Sequence, residues 1–230
     1  MKKKDQKIIV ASSKQWHKPI FSKNFKNLDF DWINVSSPKE LNLFLNKNTK
    51  IRYIFFLHWN WKVELDIINE YECICFHMTD LPYGRGGSPL QNLILKKKKN
   101  TMLSAFKMTK EIDGGPIYIK KPFSLDGRAE EIFNRVGKLS WSMINFIIKN
   151  NPVAKPQRNK PTYFKRRKPH QSRIPLIGEL EDLFDFIRML DAPDYPLAFI
   201  NHGKFKFEFS HSKLKGDKLE SKVIIKKRDK

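Results

Sequence analysis

Through the first two thirds of the chain, short apolar runs alternate with amphipathic or polar stretches. Lys7–Ala11 (KIIVA), Trp32–Val35, Tyr53–Leu57 (YIFFL) and Cys73–His77 (CICFH) are continuous enough in apolar residues to be strands buried on both faces. Between them, Pro38–Leu45 sets Leu41, Phe44 and Leu45 at helical spacing, and Val63–Asn69 does the same with Val63, Ile67 and Ile68. Ser88–Leu95 opens a helix after a Pro/Gly turn, and Met102–Met108 and Pro116–Ile119 read as further strands. Arg128–Lys149 is a long amphipathic helix with Ile132, Val136, Leu139, Met143 and Phe146 along one face, closed by Asn150, Asn151 and Pro152. Buried strands alternating with helices predict an α/β fold, a mostly parallel sheet with flanking helices.

The pattern changes at Pro152. From there to Pro175 the chain is rich in Pro, Lys, Arg and Gln with few residues to bury, which predicts a linker at 152–175 between a first domain, 1–151, and a small α+β region, 176–230. Leu183, Phe186, Ile187 and Leu190 make a helical stripe within Leu180–Leu190. Ala198–Ile200, Phe205–Phe209 and Val223–Ile225 alternate as antiparallel strands, turning at His202–Gly203 and Lys215–Gly216.

With 230 residues, 40% of them hydrophobic and 18 of them Phe, the chain can bury one sizeable core and carry a small appendage. The formal charge of +21 raises the question of a nucleic-acid partner, and clustering is the test. The excess is spread along the chain, with only short runs at Lys2–Lys4, Lys96–Lys99, Lys165–Lys168 and Lys226–Arg228. Solvated surface is the first reading, attraction of an anionic substrate the second and nucleic acid the third. Cys73 and Cys75 stand two residues apart along one strand, on one face of it, where side chains run parallel rather than converge, which argues against a disulfide between them. No apolar run reaches membrane-spanning length and no secretory segment follows the basic start, so a cytoplasmic setting with no membrane partner is expected.

The chemistry concentrates in CFHMTDLPYGRGGSPLQ, Cys75–Gln91, where a strand ends in His77 and runs straight into a Pro/Gly turn. Ligands of open α/β sheets bind beyond the carboxyl ends of strands, so a histidine there is well placed for catalysis. Gly86 and Gly87 let backbone approach a ligand, and Arg85 can grip an anion. Asp113, in EIDGGPIY, adds a carboxylate on a glycine-flanked loop that can share a proton path with His77. A thiol nucleophile served by His77 and Asp113, or a metal site from Cys73, Cys75 and His77, are weaker readings, because neighbouring strand positions do not converge. No metal is expected.

HMTDLPYGRGGSPLQ resembles the histidine, Leu-Pro turn, Arg-Gly and Pro-x-Gln signature of the folate-dependent formyltransferases, and EIDGGPIY resembles their second motif at a similar interval. TYFKRRKP and FIRMLDAPDYPLAF are similar to segments of the amino-sugar members. The resemblance implies a Rossmann-like domain, here with a shortened amino-terminal part, followed by a small helix and β-hairpin region. It implies 10-formyltetrahydrofolate as formyl donor, held near Phe55, Leu57, Trp59, Thr109 and Glu111, with Trp61 able to stack on it. His77 and Asp113 become the catalytic pair, Cys75 stands where the family usually has an asparagine, and Arg85, Gly86 and Gly87 serve the substrate. The implied acceptor is the amine of a nucleotide-linked amino sugar. Methionyl-tRNA ranks second and a non-catalytic basic binding protein on a degenerate fold third. A homodimer is compatible with such a chain.

Overall fold

The computed structural model describes residues 6–14, 17, 19–20, 30–47, 50–176 and 178–228. Two compact units divide the chain. The first holds residues 1–85, 102–122 and 134–163, the second 86–101, 123–133 and 164–230.

The first unit is organised by a six-stranded mixed sheet in the order β2-β1-β3-β4-β6-β7. Its strands are β1 (Lys7–Ser12), β2 (Asp31–Val35), β3 (Ile51–Leu57), β4 (Cys73–His77), β6 (Asn100–Lys107) and β7 (Ile117–Ser124). β2, β1, β3 and β4 run parallel, and β6 pairs antiparallel to β4, with His77 opposite Ser104 and Cys75 opposite Phe106. Apolar runs without alternation belong to strands covered on both faces, and β1 and β3 fit that rule. One face packs Ile9, Ala11, Ile54 and Phe56 with Ile33, Val35 and Cys73 against Leu41 of helix α1 (Pro38–Leu45) and Val63. α1 starts as its sequence asks, with Ser37 accepting from the Glu40 amide and Pro at the first position. A shorter helix, α2 (Leu65–Glu70), leads into β4.

The opposite face carries Ile8, with Trp32 and Tyr53 in register on either side of it, and Val10 paired with Phe55 two residues on. There the long helix α4 (Ala129–Asn150) closes the sheet: the rings of Trp32 and Trp141 lie 5.2 Å apart, and Tyr53 donates to Asn151 Oδ1 at 2.6 Å. Gly137 is the point of closest approach in that helix, since a Cβ there would meet Ile20 at 2.7 Å. Most of the stretch from 13 to 29, where a shortened sheet was in question, lies outside the described residues.

In the second unit, helix α3 (Pro89–Leu95) and helix α5 (Leu180–Arg188) accompany a three-stranded antiparallel sheet of β9 (Ala198–His202), β10 (Phe205–Lys215) and β11 (Lys218–Lys227). Gln91 donates to the Met189 carbonyl, and Lys97 pairs with Asp182 and Asp185. The buried Arg188 guanidinium bonds the Leu125 and Gly127 carbonyls at 2.6 and 2.8 Å and Asp185 at 2.7 Å. β10 and β11 extend well past Phe209 and Val223–Ile225, because their outer residues are Lys, Glu and Ser that carry no apolar signal yet keep the ladder. A bulge interrupts β10 between Ser210 and Lys213, and the amide that His211 (φ +53°) withdraws from the ladder is caught by Asp191 Oδ2 at 2.6 Å.

Among the described residues no helix is long and apolar enough to cross a membrane.

Candidate active site

β4 ends at His77, and the chain then folds back through residues 78–84, with a cis peptide between Leu81 and Pro82, so that Gly84 returns to the imidazole. His77 Nε2 lies 2.8 Å from the Gly84 carbonyl oxygen, which only accepts, so this nitrogen carries the proton. Thr79 bonds the same carbonyl at 3.4 Å, and Ser104 on β6 donates to the Thr79 carbonyl at 2.7 Å, tying the turn to the sheet. The ring is 7% exposed, and its remaining edge points Nδ1 at Asp113 Oδ2, 3.6 Å away.

Asp113 reaches that position from the loop between β6 and β7 in a left-handed backbone conformation, φ +51°. Gly115, two residues on, is required by space, since a Cβ there would overlap the Lys107 carbonyl oxygen. The loop is held from a third segment. Gln157 donates from Nε2 to the Asp113 and Gly115 carbonyls, both at 2.8 Å, and its Oε1 accepts from Arg85 Nε at 3.2 Å and from the second terminal nitrogen at 2.8 Å. Arg85 completes the chain with Glu111 at 2.5 Å, and the Glu111 amide bonds Thr109 Oγ1 at 3.3 Å.

The structure therefore brings together His77, Asp113, Arg85, Thr109 and Glu111 as one connected cluster, with one change of role. Arg85, expected to grip a substrate anion, is 5% exposed and spends its guanidinium on Glu111 and Gln157. It is an internal brace. Gly86 and Gly87 also serve packing: a Cβ on Gly86 (φ +99°) would meet the Phe164 carbonyl oxygen at 2.6 Å, and one on Gly87 would meet Arg166 Cα at 2.6 Å. Their missing side chains are explained by the 164–166 segment. Around Gly86 and Gly87, strand β5 (Arg85–Gly86) pairs with β8 (Tyr163–Phe164), a short ladder that the Pro- and Lys-rich composition did not disclose. Gln157 was not anticipated either; it stands in that same stretch, where nothing periodic marks it.

Cys75 sits one strand position from Phe76 and two from His77, and burial together with the Asp113 charge pushes its thiol far above the ordinary range. Cys73 is pushed up to about 12 by burial and Glu72. Burial thus disfavours both thiolates, which weighs against a thiol nucleophile and a thiolate ligand here. Cys75 keeps its proton and can act only as a weak donor. Among the described residues no cluster of three or more His, Cys, Asp or Glu could hold a metal ion.

Phe55 and Leu57 are fully buried, backbone included, and Phe55 is paired with a strand on each side. Trp59 is half-buried, edge-on to Phe56 and to the more exposed Trp61, and its indole nitrogen is enclosed without an acceptor among the described residues. A buried donor without a partner is uncommon in a finished fold, and it fits a ligand that brings the acceptor.

A histidine at a central strand end, an aspartate on a glycine loop beside it and two motifs at this interval define a formyl-transfer architecture, and the chain belongs to the folate-dependent formyltransferase family. It is 39% identical to the methionyl-tRNA formyltransferase from Clostridium thermocellum, whose structure it matches with a TM-score of 0.91 over 97% of this chain and 100% of that one. Residues 169–226 match the family described as the methionyl-tRNA formyltransferase carboxy-terminal domain. The methionyl-tRNA formyltransferase of Mycoplasma capricolum is 25% identical over 146 residues, 60% of this chain and 46% of the relative. The chain thus spans about half the length of the curated relatives it matches. A 4-N formyltransferase from Francisella tularensis shares the fold at a TM-score of 0.66 and 18% identity, covering 85% of this chain and 92% of that one.

Proposed function

We propose that the protein moves a formyl group from 10-formyltetrahydrofolate to the primary amine of a nucleotide-linked amino sugar. The observation that carries the reaction is the pair His77 and Asp113, two proton-carrying groups 3.6 Å apart, each fixed by its own hydrogen bonds. Trp59, Trp61 and the Thr109–Glu111 loop are the groups to hold the folate. The bound donor supplies an electrophilic formyl carbon.

Asp113 takes the proton that the attacking amine must shed. His77 keeps one proton on Nε2 for the Gly84 carbonyl; as the imidazolium it carries a second on Nδ1, and that N–H donates to the charge that develops on the formyl oxygen. Cys75 adds a thiol at the position where the family resemblance puts an asparagine, a poorer donor than the amide would be. Transfer then ends with the leaving folate nitrogen taking up a proton, so the site returns to its starting charge.

The test is a screen of the purified protein with 10-formyltetrahydrofolate and a panel of nucleotide-linked 3-amino and 4-amino sugars, read as a mass gain of about 28 Da on the sugar, the adduct expected of formyl transfer. His77→Asn and Asp113→Asn should each lower kcat by roughly a hundredfold or more while the fold survives. Full activity in either variant defeats the assigned roles. A second acceptor is favoured by the names of the Clostridium thermocellum and Mycoplasma capricolum relatives, both methionyl-tRNA formyltransferases. Transfer to charged initiator tRNA with none to any sugar would replace the first reading by that one. Folate binding with no transfer to either acceptor would leave a non-catalytic binding protein. A cytoplasmic setting, where both kinds of acceptor are made, goes with this reading.

A further inference from the structure

Two clefts open in the first unit, and their charge distinguishes them. One, of about 430 Å³, is balanced: Lys107 and Lys110 stand with Glu70 and Glu72, and Lys107 pairs with Glu72 at 2.7 Å. The other, of about 530 Å³, lies between the turn at 80–83, the start of β7 and the segment 155–162. Its single carboxylate, Asp80, is neutralised by Lys120 at 2.5 Å. That leaves Lys155, Arg158 and Lys160, and none of these forms an ion pair with any of the described residues. Three cations on six residues repel one another, and the cleft lining has no second carboxylate to offset them.

The segment that carries them is irregular but firmly placed. Lys155 exchanges both backbone hydrogen bonds with Ile117, at 2.7 and 2.9 Å. At the far end the Thr162 amide donates to the Pro82 carbonyl, and Thr162 receives the Gly84 amide on its hydroxyl at 2.8 Å and the Arg85 amide on its carbonyl at 2.9 Å. In the middle Gln157 bonds Asp113 and Gly115. The cations therefore project from a frame set before any ligand arrives, which lowers the ordering cost of binding. The wall also adjoins the chemistry: Gln157 holds the Asp113 loop, and Tyr83 precedes the glycine that anchors His77.

We infer that this cleft is an anion subsite that takes the diphosphate of a nucleoside diphosphate, through Lys155, Arg158 and Lys160 beside the rings of Tyr83 and Tyr118. As the place where an acceptor's phosphates dock, it rests on the proposed formyl transfer; as a phosphate site it stands alone. The volume lies within the range of small-ligand sites, and clustered Lys and Arg are the groups that recognise phosphate.

The experiment is calorimetric titration of the full chain with inorganic pyrophosphate, uridine diphosphate and a short RNA with a single-stranded 3′ end, for the wild type and the double variant Arg158→Gln/Lys160→Gln. Pyrophosphate and uridine diphosphate should bind the wild type, more weakly as salt is raised, and the double variant should lose tenfold or more in affinity for both with an unchanged thermal melting curve. Lys213→Gln/Lys222→Gln on the second unit's hairpin should leave binding intact. Absence of binding, or equal binding by the Arg158/Lys160 variant, overturns the subsite. RNA binding that depends on Arg158 and Lys160 without uridine diphosphate binding overturns the assigned ligand. Binding that follows the expected pattern in a protein that formylates no amine leaves the subsite standing and removes the formyl-transfer reading; formylation of a nucleotide-linked sugar with the same KM in wild type and variant removes the subsite alone.

Discussion

Replacing Gln157 separates what holds the Asp113 loop from what merely fills space. In Gln157→Leu the volume is kept and four hydrogen bonds go. Arg85, buried, loses two acceptor contacts at 3.2 and 2.8 Å, and the carbonyls of Asp113 and Gly115 lose their donors. A hydrogen bond to a charged group contributes about 1.5–3 kcal/mol, and each carbonyl left unpaired costs about 1 kcal/mol where water reaches it, so the loss is about 3–5 kcal/mol. That is a large share of the roughly 5–15 kcal/mol that holds a typical domain together. Gln157→Glu keeps the acceptor for Arg85, strengthens that pair, and sets a carboxylate oxygen against two carbonyl oxygens. It should cost about 1–3 kcal/mol and displace the Asp113 loop from His77. Urea denaturation at fixed pH gives the stabilities, and kcat against pH gives the positioning effect. Gln157→Glu should lower kcat more than its stability loss explains and shift the pH profile, because the carboxylate and the imidazole no longer face each other. A Gln157→Glu protein with wild-type kcat and pH profile, or a Gln157→Leu protein destabilised by less than about 1 kcal/mol, refutes the assignment of Gln157 as the residue that places Asp113.

Cys75→Asn should preserve or raise kcat, since an amide donates better than the thiol that burial and Asp113 keep protonated; a collapse of activity in a folded variant would show that the sulfur itself matters. Cys73 is buried with its thiol raised, so an aromatic disulfide reagent at pH 8 should modify it only in urea, and rapid native labelling of Cys73 contradicts that burial. Gly115→Ala should destabilise the protein and slow turnover, because its Cβ would overlap the Lys107 carbonyl oxygen and the loop must move; unchanged melting and kcat would show that the loop yields freely. Burial lowers His17 from 6.5 to about 4 and His58 in the same direction, with His17, Lys14 and His77 adding to the effect on His58. Both are therefore neutral in the fold, and their contribution is present above about pH 6.5 and lost as pH falls toward 4, on the order of 3 kcal/mol for His17. The urea midpoint of the wild type should drop over that interval and that of His17→Leu should drop less; parallel curves would refute it.

The alternation of buried strands and helices was legible because β1, β3 and β4 are covered on both faces and so read as unbroken apolar runs, and because α1 and α4 present single apolar stripes. The antiparallel course of β6 was not legible, since periodicity carries no direction. The outer halves of β10 and β11 escaped because lysines and serines in a solvent-facing hairpin look like loop. At the site, His77 and Asp113 declared themselves through turn chemistry on either side. Arg85 was visible but misjudged, because a sequence cannot tell an arginine offered to a ligand from one committed to a glutamate and a glutamine. Gln157 left no trace, for its role depends on contacts 42 to 72 residues away in a stretch whose composition resembles a linker.

The same contacts change where the specificity of this site resides. Asp113 needs a left-handed backbone angle that an aspartate adopts only at some cost, and its side chain stops 3.6 Å short of the imidazole, too far for a direct hydrogen bond. Neither feature would persist if the loop were free to relax. It is held because its carbonyls are bonded by a glutamine whose other end is saturated by a buried arginine, and that arginine sits on the strand that follows the histidine's own turn. Both partners of the proposed catalytic pair are thus referred to one short stretch, 77–85, the histidine directly and the aspartate through Arg85 and Gln157. The gap between them is then a built dimension of the fold, wide enough for a reacting amine to share with both groups. A ligand that pulls on 155–162 acts on Asp113 through Gln157 and on His77 through Thr162, whose hydroxyl holds the Gly84 amide.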